Sequence, residues 1–363
     1  MRKIGAKAGL LAGGLLAGVL LAETGARLWK PSKDSDLLFN SPESSPMGLY
    51  VLDEGARIVP APGFSATVQS PGYRTALRTN ALGLRGPPAA EVGGRQWMAA
   101  GDSFTMAVQV EEEESFPGLL GEKAGAHIWN AGVDGYSTWQ ALIRYEQLAS
   151  LPLEQVVLTF FTGNDFQDNE RFPHMRKAPL PGKPGDPIPR ASVPWHRKLL
   201  LRHSRLYAHY RIAAHRAGIQ SGKAHQKQNW RDELSIFTRD GSGRLRGLGE
   251  QTRKALEALK RSTEARGAKL LVAVAPPAFV VDRERAGATF SLVGLDPAGA
   301  ALDAPQQKAA EILGSLGIRH CDLSEALRSG QEREAMYFTF DGHWTPAGHR
   351  VVAKRLSQCL GAG

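Results

Sequence analysis

The chain has 363 residues, of which 42% are hydrophobic, and a formal net charge of +9. This length and apolar content exclude a disordered chain and are sufficient for one large domain with extensions or for two smaller domains. The excess charge is local, because residues 191–231 contain nine Lys or Arg side chains and no Asp or Glu.

The N-terminus has the pattern of an export signal. Arg2, Lys3 and Lys7 precede an uncharged run over residues 8–22, which ends at Glu23. Fifteen helical residues cover about 22 Å, less than a hydrocarbon core of about 30 Å, unless the flanking charged side chains snorkel. Residues 1–30 are therefore a cleaved signal peptide, an uncleaved anchor or a buried core helix. We expect the anchor, because no clean cleavage site follows the run. The basic residues before it predict a single pass through the bacterial inner membrane, with the rest of the chain in the periplasm.

Residues 31–95 are rich in Pro, Gly and Ser and predict an extended lead-in with some β-structure. From residue 96, short apolar runs alternate with helical stretches, a pattern typical of parallel βαβ units. The strands are predicted at residues 96–100, 127–131, 155–161, 269–275 and 317–322. The predicted fold class is α/β, a three-layer α/β/α sandwich with a five-stranded parallel sheet in flavodoxin-like order, over residues 96–360.

Four residues mark predicted helix ends. Ser115 and Ser137 are candidate N-caps, Gly267 is a candidate C-terminal stop, and Pro346 fits the first turn of the last helix.

A helical insertion at about residues 166–247 interrupts the alternation and carries the basic segment 191–231. Within it, Leu199, Leu206, Tyr210 and Ala213 recur at helical spacing. One interpretation is a solvated helix whose apolar stripe packs on the domain. The other is a surface for an anionic polymer or for anionic lipid headgroups. Nucleic acid is excluded as a partner, since the segment matches no recognition motif and is predicted to be exported.

Reactive side chains follow four of the predicted strands. Parallel α/β sheets bind ligands beyond the carboxyl ends of their strands, so these segments are predicted to lie together. The segments are Gly101-Asp102-Ser103, residues 130–138 (NAGVDGYST), residues 162–165 (TGND) and residues 340–349 (FDGHWTPAGH).

These four segments, in this order, resemble the blocks of the SGNH or GDSL family of serine hydrolases. The chemistry fits, because a serine hydroxyl needs a base and the base needs an orienting carboxylate. Ser103 is then the nucleophile, His343 the base and Asp341 the orienting group. The resemblance implies an oxyanion hole formed by the backbone N–H groups of Ser103 and Gly135 and by the Asn164 amide.

Each of these residues also has a structural interpretation. Ser103 could be the cap of the next helix, and Asp341 the cap of the last one. Asn164 and the following Asp165 could be turn formers. Asp102 and His349, in the same segments, are predicted to have structural roles: Asp102 as a hydrogen-bonding residue, His349 as a surface or packing residue.

One spacing departs from the family pattern, in which two residues separate the last Asp and His. Here only Gly342 lies between Asp341 and His343, followed by Trp344. This D-x-H-W arrangement resembles that of bacterial proteins that O-acetylate exported polysaccharides.

The resemblance implies a serine esterase that acts on an acylated glycan or a lipid ester through an acyl-serine intermediate. A polysaccharide O-acyltransferase with the same triad is one alternative, and a catalytically silent scaffold protein of the cell envelope is another. No cofactor and no metal are predicted, since neighbouring side chains in the cluster at residues 320–322 (HCD) would point to opposite faces of a strand. Cys321 and Cys359 either form a disulfide or remain two buried thiols.

Overall fold

The computed structural model describes residues 2–28, 46–70, 72–88, 92–188, 194–220, 224–339 and 341–361. Parts of the predicted lead-in (31–45, 71 and 89–91) and of the basic segment (191–193 and 221–223) lie outside the described residues.

The chain begins with one long apolar helix, α1, at Arg2–Leu28. Its segment Gly9–Leu28 has a mean hydropathy of 1.6 and is long enough to cross a membrane. Its side chains are almost all exposed, so it is not the buried core helix of a soluble domain.

Two antiparallel hairpins follow in the lead-in. They consist of β1 (Tyr50–Asp53) with β2 (Arg57–Pro60), and β3 (Ser65–Ser70) with β4 (Tyr73–Arg78). Buried side chains of both hairpins, such as Tyr50, Val68 and Leu77, form one apolar cluster with Met106 and Val133 of the α/β domain. The lead-in is therefore packed onto the loops at the carboxyl end of the sheet.

The α/β domain contains a five-stranded parallel sheet. Its strands are β5 (Gln96–Ala100), β6 (His127–Asn130), β7 (Leu153–Phe161), β8 (Lys269–Ala275) and β9 (Arg319–Asp322). The strand order is β6-β5-β7-β8-β9, with every neighbouring pair parallel. The predicted fold class and flavodoxin-like order are confirmed: the runs of β5, β7 and β8 are apolar and largely buried on both faces, whereas β9 at the edge of the sheet is mostly exposed.

The remaining helices pack around this sheet or form the insertion. They are α2 (Ser103–Met106), α3 (Phe116–Ala124), α4 (Thr138–Gln147), α5 (Asp165–Lys177), α6 (Trp195–His203), α7 (Arg205–Gln220), α8 (Ala224–Ser235), α9 (Ser242–Ala265), α10 (Ala278–Val281), α11 (Arg283–Val293), α12 (Ala304–Ser315), α13 (Ser324–Gln331) and α14 (Pro346–Leu360). The Ser115 and Ser137 side chains cap α3 and α4 as predicted.

Alternate residues along β7 point to opposite faces and into different cores. Val156 belongs to the cluster that includes Leu142 of α4 and Leu256 of α9. Val157 belongs to the cluster that includes Phe116 of α3 and Leu356 of α14. Helices thus cover both faces, which gives the three layers.

The last strand and the last helix are joined covalently. Cys321 in β9 and Cys359 in α14 form a disulfide, with their Cα atoms 6.1 Å apart. Of the two alternatives left open by the sequence, the structure contains the bridge.

The basic segment differs from its prediction. Residues 195–220 of it form two helices, α6 and α7, with a break at Ser204, instead of one, and residues 224–231 belong to α8. Leu199, Leu206, Tyr210 and Ala213 are exposed, so the interpretation of a stripe packed on the domain is wrong. The neighbouring Ala208 of α7 is buried.

Candidate active site

The sharp turn after β5 places Ser103 at the carboxyl end of the sheet. Gly101 has φ +142°, and a Cβ there would lie 2.6 Å from Thr105 Oγ1 and 2.8 Å from the Thr159 carbonyl oxygen, so the turn requires glycine. Asp102 is the N-cap of α2, because its carboxylate accepts a 2.9 Å hydrogen bond from the Phe104 N–H. The alternative in which Ser103 caps this helix is wrong, and Asp102 has the structural role predicted for it.

Three side chains from distant parts of the chain meet at this edge. The Nε2 atom of His343 lies 2.7 Å from Ser103 Oγ. The Nδ1 atom of His343 is hydrogen-bonded to Asp341 Oδ1. The imidazole can therefore accept the hydroxyl proton at one nitrogen while a carboxylate holds the other.

The shortened spacer between Asp341 and His343 is accommodated by a turn. Gly342 has φ +79°, and its N–H donates to the Phe338 carbonyl at 3.0 Å. The alternative role of Asp341 as the cap of α14 is wrong, because Thr345 is the N-cap and its hydroxyl accepts from the Gly348 N–H at 3.2 Å.

Asp341 accepts two further hydrogen bonds that the sequence analysis did not predict. The Tyr73 hydroxyl donates to Oδ2 at 2.6 Å, and the Gln109 amide donates to Oδ1 at 3.2 Å. Burial raises the pKa of a carboxyl group, but the charge and hydrogen bonds of His343 and the hydrogen bond from Tyr73 outweigh it and lower the pKa of Asp341. Burial and the charge of Asp341 raise the pKa of Tyr73, so its phenol stays protonated and donates.

The surroundings of His343 also shift its pKa. Burial lowers the pKa of His343, but the nearby Asp341 charge and hydrogen bond outweigh it, and the net pKa is raised above 6.5. His343 accepts a proton only when it is neutral, so its capacity as a base decreases as the pH falls through this raised pKa.

Besides Ser103, two residues were predicted to donate hydrogen bonds to an oxyanion. These residues, Asn164 and Gly135, lie in different surroundings. Asn164 and Ser103 line the same cavity. The Asn164 amide donates one hydrogen to Asp168 Oδ2 at 2.8 Å, which leaves its second hydrogen for a ligand. Burial raises the pKa of Asp168 to about 7. Gly135 is exposed with φ +72° and is not among the residues that line this cavity.

The turn-former interpretation of Asp165 does not describe its role. Asp165 is buried, and its carboxylate accepts a 2.8 Å hydrogen bond from the Phe161 N–H at the end of β7. The loop that carries Gly135 is likewise fixed to β5, through the Val133 N–H and the Gly101 carbonyl at 3.1 Å.

The cavity beside Ser103 has a volume of about 180 Å³ and a mainly apolar wall. Phe104 and Phe161 come from the α/β domain, and Phe279 from α10. Trp230 and Leu234 come from α8 of the insertion. A small acyl chain fits this environment better than a charged group does.

A buried arginine of the lead-in supports the segment that follows Ser103. The Arg85 guanidinium donates to the carbonyls of Met106 at 2.8 Å, of Val110 at 2.6 Å and of Ala107. Burial lowers the pKa of Arg85 to about 10, so it remains charged near neutral pH. Within the sequence TNALGLRG at residues 79–86, Arg85 therefore holds the segment after Ser103 in place, and none of these residues lines the cavity.

The remaining histidines do not form a metal centre in the described part of the chain, where no group of three or more candidate ligands occurs. His349 is buried, and its Nδ1 accepts a 3.1 Å hydrogen bond from the Phe116 N–H. Burial lowers its pKa to about 3, so it is neutral and has a packing role. In the cluster at residues 320–322, the Cys321 sulfur is bonded to Cys359 in the disulfide and is not a free thiolate ligand.

The C-terminal part of the chain matches a family of known domains. Residues 236–362 match the family model described as the SGNH hydrolase-like domain of the acetyltransferase AlgX. This C-terminal third of the chain is thus similar to an SGNH hydrolase-like domain. The matched region contains Asp341 and His343, whereas Ser103, Gly135 and Asn164 precede it.

Two solved structures are among those to which the chain is similar. A lipolytic protein of the G-D-S-L family from Veillonella parvula is 12% identical, with a TM-score of 0.38, and the match covers 73% of this chain and 97% of that one. A catalytic mutant of an acetylxylan esterase from Geobacillus stearothermophilus is 11% identical, with a TM-score of 0.40 and coverage of 75% and 96%. Similarity at this level does not indicate a substrate. A comparison with proteins of curated function gives no sequence match.

Proposed function

We propose that this protein is an exported serine esterase that removes acyl groups from a carbohydrate or lipid ester. The observation that carries the proposal is the 2.7 Å contact between Ser103 Oγ and His343 Nε2, with Asp341 on the other imidazole nitrogen. These contacts provide an activated nucleophile and a base of fixed tautomer.

The reaction is a double displacement. Ser103 Oγ attacks the ester carbonyl as His343 accepts the hydroxyl proton, and the developing oxyanion is stabilised by the Ser103 N–H and the Asn164 amide, which both belong to residues that line the cavity. The Gly135 N–H, outside that lining, is the third donor that the family resemblance implies. The C–O bond then breaks, and His343 returns the proton to the leaving alcohol. In the second half-reaction, water loses a proton to His343 and attacks the acyl-serine ester, which releases the carboxylic acid and restores Ser103.

A transferase is the second candidate, and the family model favours it because its description names an acetyltransferase. A sugar hydroxyl would then replace water in the second half-reaction. Both routes share the acyl-Ser103 intermediate. A catalytically silent scaffold protein has no need of a serine, an imidazole and a carboxylate in hydrogen-bonding contact.

Labelling with a fluorophosphonate probe and turnover of p-nitrophenyl acetate test the proposal on the full chain in neutral detergent. We expect the probe to modify Ser103. The Ser103→Ala variant should lose labelling and at least about 10³-fold in kcat. Ser291→Ala, at an exposed serine of α11, is the matched control and should retain both. Equal labelling of the Ser103→Ala variant would show that another residue reacts. Mass analysis of products formed with an oligosaccharide acceptor separates transfer from hydrolysis.

We also propose that α1 is retained as a membrane anchor. Its C-terminal part is tied to the folded chain: the Glu23 carboxylate accepts from Ser204 Oγ at 2.7 Å and from the Arg205 N–H at 2.8 Å. Cleavage after the run at residues 8–22 would remove Glu23 or separate it from its helix. In cells that express the full chain, we expect it to resist alkaline carbonate extraction and to yield N-terminal peptides from α1 in mass spectrometry. A mature N-terminus after residue 26 would contradict the anchor.

A further inference from the structure

The exposed apolar side chains are concentrated in two places. Among the described residues, every exposed large hydrophobic side chain except Met47 and Met175 lies on α1 or on the α6–α7 pair. On α6 and α7 these side chains are Trp195, Leu199, Leu200, Leu206 and Tyr210. Trp and Tyr side chains that are exposed beside basic residues are typical of segments at a membrane–water interface.

The α6–α7 pair is held at the end of the apolar helix. Besides its contacts with Ser204 and Arg205, Glu23 accepts a 3.2 Å hydrogen bond from the Leu206 N–H. The Arg27 guanidinium donates to the His203 carbonyl at 2.9 Å. Glu23 thus caps the first turn of α7, and the exposed side chains of α6 and α7 lie where α1 would leave a bilayer.

A cleft with a volume of about 450 Å³ opens at this junction. Its lining includes Arg27 of α1, Arg74 of β4, Arg205 of α7 and His203 of α6. Glu23 pairs with Arg27 at 3.0 Å, and the guanidinium groups of Arg74 and Arg205 line the same cleft beside the His203 imidazole. Guanidinium groups bind phosphate oxygens in a bidentate manner, and several around one cavity favour a phosphate-bearing ligand.

We propose that this arginine-lined cleft binds the phosphate-bearing headgroup of an anionic membrane lipid. The adjoining apolar side chains of α6 and α7 are suited to the interfacial region of the same leaflet, which favours a lipid over free phosphate or a soluble polymer. The local charge agrees, because the surrounding segment 191–231 has nine basic residues and no acidic residue. The inference depends on the proposed anchor and is independent of the catalytic assignment.

Calorimetric titration of the full chain in neutral detergent tests the cleft. The probes are dihexanoyl phosphatidylglycerol, dihexanoyl phosphatidylcholine, inorganic phosphate and polygalacturonate. We expect phosphatidylglycerol to bind at least ten times more tightly than each of the other three. The Arg74→Glu, Arg205→Glu double variant should weaken this binding at least ten-fold.

The matched control is the Arg244→Glu, Arg246→Glu double variant, which makes the same charge change at exposed positions of α9 and should leave the affinity unchanged. The single variant Arg74→Gln should weaken binding in the same direction, and labelling of Ser103 verifies that each variant is folded. Equal binding of the two lipids, an equal loss in the control variant, or binding of inorganic phosphate or polygalacturonate as tight as that of phosphatidylglycerol would each overturn the proposal.

Discussion

At the scale of single residues, the unusual feature is the number of donors around Asp341. Its carboxylate accepts from His343, Tyr73 and Gln109 and is 7% exposed. Three donors fix the position of both oxygens. The carboxylate can therefore orient the imidazole despite the single-residue spacer at Gly342.

We predict that Tyr73→Phe lowers kcat about ten-fold, since a hydrogen bond to a charged group is worth roughly 1.5 to 3 kcal/mol. In the wild type, kcat/KM should decrease as the pH falls through the raised pKa of His343, above 6.5. Without the phenol, the negative charge of Asp341 is less stabilised and favours the protonated imidazole of His343 more strongly. The decrease of kcat/KM on the acid side of the profile, the acid limb, should therefore begin at a higher pH. A pH–rate profile measures the shift.

Tyr337→Phe is the control, because its buried hydroxyl donates to the Pro276 carbonyl at 2.8 Å, away from Asp341. The Tyr337→Phe variant should leave the acid limb of the pH–rate profile unchanged. An unchanged profile and an unchanged kcat in Tyr73→Phe would mean that the phenol does not position Asp341.

The sequence predicted the residues of the site that lie at strand exits and not those that reach it from elsewhere. Ser103, Asn164 and His343 follow strands or lie in short segments rich in Gly and Asp, where reactive groups collect in a parallel sheet. Tyr73 and Gln109 lie 268 and 232 positions before Asp341. Tyr73 reaches Asp341 because the second hairpin docks on the domain, and Gln109 because the segment after α2 folds back over the site. A single sequence indicates neither arrangement.

At the scale of secondary-structure elements, the insertion contributes directly to the cavity. Trp230 and Leu234 of α8 form part of its wall, opposite the strand exits of the sheet. The insertion is therefore suited to limit the length of the acyl chain. This role was not predicted, because the sequence analysis of the insertion concerned its charge.

We predict that Trp230→Ala lengthens the preferred acyl chain. Removing the indole enlarges the cavity, and each buried methylene contributes about 0.8 kcal/mol. The ratio of kcat/KM for p-nitrophenyl octanoate to that for the acetate should rise at least ten-fold. Trp195→Ala, at an indole of α6 that is 76% exposed, should leave the ratio unchanged. A parallel decrease for both esters in Trp230→Ala would indicate a structural defect instead of a change in specificity.

The elements of the sheet were predicted closely, and the insertion was not. Apolar runs between capped helices determine the strands locally, so both ends of all five predicted strands lie within two residues of the observed ends. The largest differences are at the starts of two strands: β7 was predicted from 155 and begins at Leu153, and β9 was predicted from 317 and begins at Arg319. The break between α6 and α7 depends on Glu23, a residue 181 positions from Ser204, and helical periodicity carries no information about such a contact.

At the scale of the whole molecule, the disulfide between Cys321 and Cys359 closes a segment of 38 residues that includes Asp341 and His343. We predict that its reduction lowers the free energy of unfolding by roughly 4 kcal/mol, the chain-entropy value for a loop of this length. Urea denaturation of the full chain in detergent, with and without reductant, measures the change.

The Cys321→Ala, Cys359→Ala double variant should unfold at the lower urea concentration of the reduced wild type and should not respond to reductant. A wild-type midpoint that stays constant after verified reduction would contradict the prediction.

The hydrogen bond from Tyr73 to Asp341 couples the maturation of the catalytic centre to the order in which the polypeptide emerges. If the chain is exported from its N-terminus, the hairpin that carries the phenol reaches the periplasm early and the carboxylate late. The acyl-transfer machinery would then reach its final geometry only after the end of the chain has docked on the beginning, so partially translocated chains would be inactive towards the esters around them.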